Sequence, residues 1–193
     1  MNDKTKYILL LIIAFNLIFL VLAVVHKNLE FVFYSINFFL GVVILYLFKK
    51  QIGLTPLLAL GFVLSMVLHM AGGLINTNGM RLYEFYFIEG VIKYDNITHF
   101  FGTFLLTIAG YNLLKYNFWN KESRSDYIHL FLVLVLGYGL GSLNEIIELM
   151  YSVSLGYEKE VGDYLNNALD LAFNFIGALA ATLVIALKER KFI

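Results

Sequence analysis

The sequence predicts an all-α, polytopic membrane protein: a single six-helix transmembrane bundle over residues 1–193, with N- and C-termini cytoplasmic. Three observations carry that expectation. The chain is 60% hydrophobic and 15% charged, with a mean hydropathy of +0.78, whereas about a quarter of the residues in a soluble domain are charged. Six apolar stretches recur along its 193 residues, and at roughly 20 residues per spanning helix they leave no room for a soluble domain. Lys and Arg gather at the ends of those stretches and favour one side of the membrane. A formal net charge of zero supplies no basic field, so no nucleic-acid partner is expected. The lack of cysteine excludes disulfides, thiolate metal ligands and cysteine nucleophiles.

The first helix is expected from Tyr7 to Val25, behind Lys4 and Lys6. Its apolar run exceeds the roughly 7 to 15 residues of a signal-peptide core and no small-x-small cleavage site follows, so it reads as a span. The second runs from about Phe31 to Phe48 and stops at Lys49 and Lys50. Thr55-Pro56 reads as an N-cap and a first-turn proline opening the third helix, which extends to about Ile75. The fourth spans Asn96 to Leu114. Ser123 and Asp126 are spaced as a capping box before the fifth, Tyr127 to Tyr151. The sixth runs from Asp163 to Leu187 and ends at Lys188, Glu189, Arg190 and Lys191.

Ten Lys and Arg residues fall on the side of the termini: Lys4, Lys6, Lys49, Lys50, Lys115, Lys121, Arg124, Lys188, Arg190 and Lys191. The other side holds four, Lys27, Arg81, Lys93 and Lys159, which places the termini in the cytoplasm of a cell (inner) membrane. This orientation sets depth. His69 falls in the outer third of the third helix, Asp95 and His99 in the first turns of the fourth, and Asn144, Glu145 and Glu148 near the outer end of the fifth. On the sixth, Asp163, Asn167, Asp170 and Asn174, followed by Gly177, recur in steps of four and three and share one helical face. A charge at the centre of a span costs about 2.5 to 3.5 kcal/mol on insertion scales, so that face must meet polar groups or water. Four helices thus bring ionisable groups to one leaflet.

Small residues four apart, Gly61, Ser65 and Gly73 around His69 and Gly137 and Gly141 before Glu145, mark faces that pack closely in lipid. The third connection, Asn76 to Asp95, is rich in aromatic residues. It is expected to lie in the outer interface as a short amphipathic or re-entrant cover, with Glu89 and Lys93 spaced for an ion pair.

Each motif has a plainer reading. Asp95 and His99 stand one turn apart, so the Asp can orient or charge the imidazole, or can simply cap its helix. Glu145 and Glu148 share a face, which repulsion disfavours unless a proton, metal or cation is shared. The stripe on the sixth helix is either part of a site or a structural hydrogen-bond network, and His69 alone is better explained by packing. Together, His with Asp and Glu is a common ligand set for Zn²⁺, Mn²⁺ or Fe²⁺. No HExxH, GxSxG, P-loop or GxGxxG pattern is present.

These residues resemble the YjdF-like inner-membrane proteins, a family of no established function, over about Met66 to Ala181. Five blocks carry the resemblance: Leu68-His69-Met70-Ala71-Gly72-Gly73; Arg81 to Tyr83; Tyr94-Asp95 through His99 to Gly102; Glu145-Ile146-Ile147-Glu148; and Gly162-Asp163 through Asp170, Asn174 and Gly177. The YjdF-like pattern often has Trp and an additional Asp where this chain has Leu149 and Asn166. More distantly the chain is similar to VanZ-like proteins, which implies a cell-envelope role at the outer face. That pattern has Gln at Glu148 and an Arg where this chain offers Lys159.

The functional expectation is an outer-leaflet site acting on a polar lipid headgroup or other envelope substrate. His99 is base or ligand, Asp95 orients it, and Glu145, Glu148 and Asp170 bind a metal or move protons. A divalent ion such as Zn²⁺ or Mn²⁺ would be held by His69, His99, Glu145, Asp170 and Asn174. The alternative is a non-enzymatic cation- or lipid-binding protein whose buried polar network is structural. The sequence names no oligomeric state.

Overall fold

The computed structural model describes residues 3–119, 127–156 and 164–190. Six helices account for most of them: α1 Asp3–Val25, α2 Leu29–Leu47, α3 Pro56–Leu74, α4 Tyr94–Asn117, α5 Tyr127–Leu155 and α6 Tyr164–Arg190. All six are long and apolar enough to cross a membrane. Their outward faces carry exposed large apolar residues such as Leu10, Val21, Leu57, Phe131 and Leu183, as suits surfaces solvated by acyl chains. Thr55 caps α3, its Oγ1 accepting from the Leu58 N–H at 3.2 Å, with Pro56 at the first helical position. The expected Ser123–Asp126 capping box and the start of the sixth helix at Asp163 lie outside the described residues.

The chain forms two compact units, residues 1–50 with 54–98, and 51–53 with 99–193. In the first, α1 packs on α2 and α3. Its buried polar link is Asn16, whose Nδ2 donates to the Ser35 carbonyl at 2.9 Å, while Ser35 Oγ returns to the Phe31 carbonyl of its own helix. In the second unit α5 lies along α6, and Tyr111, Val133 and Ile185 form a core capped by Leu114, Trp119 and Leu130.

The connection between α3 and α4, expected as a short amphipathic or re-entrant cover, is not α-helical. It folds as two short antiparallel hairpins, β1 Asn76–Thr77 with β2 Met80–Arg81, and β3 Tyr86–Ile88 with β4 Ile92–Lys93, around a 3-10 turn at Leu82–Glu84. The reason is local. Asn78 (φ 54°) and Gly79 (φ 84°) take the two left-handed positions of a tight hairpin turn, and Asn-Gly is the dipeptide that does so most readily. Lys93 Nζ stands 5.3 Å from the centre of the Tyr86 ring. Phe85, Phe87, Ile88 and Val91 remain exposed.

Helix α4 starts two residues before the expected Asn96. Asn96, fully buried, turns its Oδ1 back to the Lys93 N–H at 2.8 Å, the reciprocal half of a capping box. Asp95 therefore lies inside the first turn instead of capping the helix.

Candidate functional site: a histidine among three acids

Three helices of the second unit meet at His99. Their approach depends on missing side chains. A Cβ on Gly177 of α6 would collide with the Phe100 carbonyl oxygen of α4. A Cβ on Gly141 of α5 would lie 2.7 Å from Thr103 Oγ1 and 2.9 Å from Asn174 Cγ. Small residues at helix contacts let polar groups on neighbouring helices come within bonding reach in lipid.

His99 Nδ1 stands 2.9 Å from Glu145 Oε1, and its Nε2 stands 3.9 Å from Asp170 Oδ1. Ligand atoms from His99, Glu145 and Glu148 all lie within 4.8 Å of one another. Each acid is also met by an asparagine amide. Asn174 Nδ2 donates to Glu145 Oε1 at 2.8 Å, Asn166 Nδ2 to Asp170 Oδ2 at 2.8 Å, and Asn144 Nδ2 to Glu148 Oε1 at 2.7 Å. Thr103 Oγ1 donates to Asn174 Oδ1 at 2.6 Å. His99, Thr103, Asp170 and Asn174 are buried, the last two at 2% and 1% exposure.

Depth follows from helix rise, 1.5 Å per residue. His99 is five residues into α4 and Asp170 six into α6, about 7.5 and 9 Å from the helix starts, and Glu145 is ten residues, about 15 Å, from the end of α5. Each distance is no more than half of a hydrocarbon layer about 30 Å thick. A second polar group of this unit lies sixteen residues further along α4, about 24 Å away. There Glu189 Oε1 accepts from Lys115 Nζ at 2.8 Å and from the Tyr111 hydroxyl at 2.5 Å. Between the two, hydroxyls such as Thr107 and Thr182 are bonded to backbone carbonyls of their own helices.

Of the residues singled out in the sequence, His99, Glu145, Glu148, Asp170 and Asn174 come together in this unit. Asp95 stands one turn before His99 on α4, half-buried. His69 belongs to the first unit, where its ring is surrounded by Tyr34, Phe38, Tyr83 and Phe31 at centroid distances of 4.6, 5.4, 5.6 and 6.1 Å. Gly72 and Gly73 admit two of those rings, since a Cβ there would strike Tyr83 and Phe31 respectively. Among the described residues His69 joins no group of possible metal ligands. Thr103 was not singled out, although it stands four residues after His99 on the same helical face, a signal that was available.

The fold and the cluster define a polytopic helical membrane protein with a His/carboxylate centre buried inside one unit. The family model for DUF2238, described as a predicted membrane protein, matches residues 7–191, so the chain belongs to that family; YjdF is a member of it, in line with the resemblance in the sequence. No curated protein and no solved structure matches the chain.

Proposed function

We propose that this protein is an intramembrane cation-site protein, in which His99, Glu145, Glu148 and Asp170 hold a divalent ion such as Zn²⁺ or Mn²⁺ and present it to polar headgroups of lipid or envelope molecules at the outer leaflet. One observation carries the reading: three carboxylates surround a single imidazole, buried inside helices long enough to span a bilayer. Even a doubly protonated imidazole leaves that set short of positive charge, and uncompensated negative charge at this depth costs several kcal/mol, on the order of 3. A shared proton or a metal ion supplies the balance. The donor set of imidazole and carboxylate oxygens suits Zn²⁺ and Mn²⁺. Ligand atoms on one tetrahedral ion stand about 3.3 Å apart, and those of His99, Glu145 and Glu148 lie within 4.8 Å of one another. Glu145 and Glu148 then escape the mutual repulsion that the bare pair suffers. Asp95, four residues before His99 on the same helix, is the next carboxylate along α4.

Metal analysis of detergent-purified protein, reloaded with Zn²⁺ or Mn²⁺ and desalted, tests the proposal. A stoichiometric ion in the parent that is lost in His99→Ala and Asp170→Ala supports it. A parent that retains no ion at either metal, with Ala variants indistinguishable from it, overturns it in favour of a purely structural network.

A further inference from the structure

We propose that the β3–β4 hairpin is a membrane-surface anchor, whose side chains Phe85, Phe87, Ile88 and Val91 enter the boundary between headgroups and acyl chains of the leaflet in which α3 ends. The occupant of this face is phospholipid of the surrounding bilayer, met without selection for headgroup charge.

The hairpin has two unlike faces. Phe85 and Phe87 stand two residues apart and so point to one side of an extended strand, and their rings meet edge to face at 5.3 Å. Tyr86 points to the other side, where it pairs across the ladder with Lys93, whose Nζ lies 5.3 Å from the ring centre. Phe85, Phe87, Ile88 and Val91 are each more than half exposed. A two-stranded hairpin is marginal in water and needs its apolar side packed on something. The backbone suits an apolar boundary. The Tyr94 N–H donates to the Phe85 carbonyl at 2.8 Å, and the Val91 N–H closes the turn onto the Ile88 carbonyl at 3.0 Å, with Gly90 in the left-handed region at φ 70°. Ladder and turn thus pair backbone groups that lipid would leave bare.

Two tyrosines fasten the connection to the lipid-facing side of α3. Leu57, Leu60, Leu64 and Ile75 are exposed and share one helical face, and Leu68 falls on the same row. The Leu68 carbonyl accepts from the Tyr94 hydroxyl at 2.9 Å, and the His69 carbonyl from the Tyr83 hydroxyl at 2.8 Å. Those carbonyls belong to residues six and five positions before Leu74, about 9 and 7.5 Å along the axis. The connection therefore returns along α3, and the hairpin between the two tyrosines continues the apolar surface that the helix already shows to acyl chains. Amphipathic elements in this boundary bury their apolar side by about 5 to 10 Å, and tyrosines favour the headgroup level above it. Charge adds no preference for an anionic surface, since residues 76–93 set Arg81 and Lys93 against Glu84 and Glu89.

The chain has no cysteine, so Phe87→Cys and Val91→Cys each carry a single spin label in the full-length protein, reconstituted one copy per disc in phosphatidylcholine nanodiscs. Collision with oxygen, which dissolves among acyl chains, is compared with collision with a water-soluble nickel chelate. Both labels should favour oxygen and lie about 5 to 10 Å below the lipid phosphates. Exchanging phosphatidylcholine for phosphatidylglycerol should leave that depth unchanged. Labels that meet the chelate as freely as label in buffer would put the hairpin in water and overturn the proposal. Labels shielded from both reagents would put it under protein and overturn it equally, and a depth reached only in phosphatidylglycerol would overturn the indifference to headgroup charge. Should one cysteine variant not fold, the other and Ile88→Cys give the same reading.

Discussion

His69 and His99 lie in different units of one chain, and their surroundings differ in kind. His69 is enclosed by the rings of Phe31, Tyr34, Phe38 and Tyr83, and the Tyr83 hydroxyl donates to the backbone carbonyl of His69 at 2.8 Å. His99 is enclosed by Glu145, Glu148 and Asp170, with amides behind them. An aromatic box offers faces to pack against and holds its guest by area and ring electrostatics. A carboxylate cluster offers ligand atoms and a charge to be balanced. The same imidazole is a packing piece in the first unit and the centre of the candidate site in the second. What decides between them is the chemistry of the side chains that neighbouring helices bring to it.

The comparison can be broken most violently at the glycines. Gly177→Ala drives a Cβ into the Phe100 carbonyl, a backbone atom with no freedom to rotate away. We expect at least the about 1 to 3 kcal/mol of an overpacked contact and no retained metal, read by thermal unfolding and metal content of the monodisperse fraction. Gly73→Ala strikes the Phe31 ring and should lower stability similarly, while the folded fraction keeps its metal. Loss of metal in both variants alike would show that the two histidines do not have separate duties.

A gentler pair sharpens the same contrast. His69→Phe completes an already aromatic box and should change stability by less than about 1.5 kcal/mol, as volume-conserving swaps do. His99→Phe should abolish metal retention. The isosteric changes Glu148→Gln and Asp170→Asn remove like charge while keeping most hydrogen bonds. Both should be folded, thermally no worse than the parent, and empty of metal, as expected where a site gives up stability for function. A drop in melting temperature for these two would instead assign the acids to structure.

The smallest effect is expected in the first unit at its rim. Arg81 Nη1 meets Glu30 Oε2 at 3.2 Å near the start of α2, and partly exposed pairs of this kind contribute about 0 to 1 kcal/mol. Arg81→Ala should leave melting within that range. Side of the membrane is a separate matter of reporters: fusions at Lys50, Lys121 and the C-terminus should read cytoplasmic, and fusions near Gly79 and Glu158 external. Reversed signals would move the cluster to the cytoplasmic leaflet.

The six helices were legible because apolar runs of spanning length leave little choice of structure, and Thr55-Pro56 marked one start correctly. The meeting of His99 with the acids of α5 and α6 was legible from depth, since each polar face had to find a partner. What surrounds each histidine was not, because depth along an axis carries no azimuth between helices; depth alone groups His69 with His99. The β1–β2 hairpin is written in turn chemistry, the Asn78-Gly79 pair, inside a stretch whose apolar and aromatic residues indicate only an interfacial cover. Thr103 was missed because a lone hydroxyl in a span is so often bonded to its own helix, as Thr107 is.

The central claim is that cation binding belongs to His99 and its acids. The most direct measurement is thermal unfolding of the parent, His69→Phe and His99→Gln during titration with Zn²⁺ and Mn²⁺. A ligand at about 100 times its Kd stabilises the folded state by about 2.7 kcal/mol. The parent and His69→Phe should show that gain with the same midpoint of titration, and His99→Gln should show none. A parent that gains nothing, or a His99→Gln that gains as much as the parent, would contradict the account.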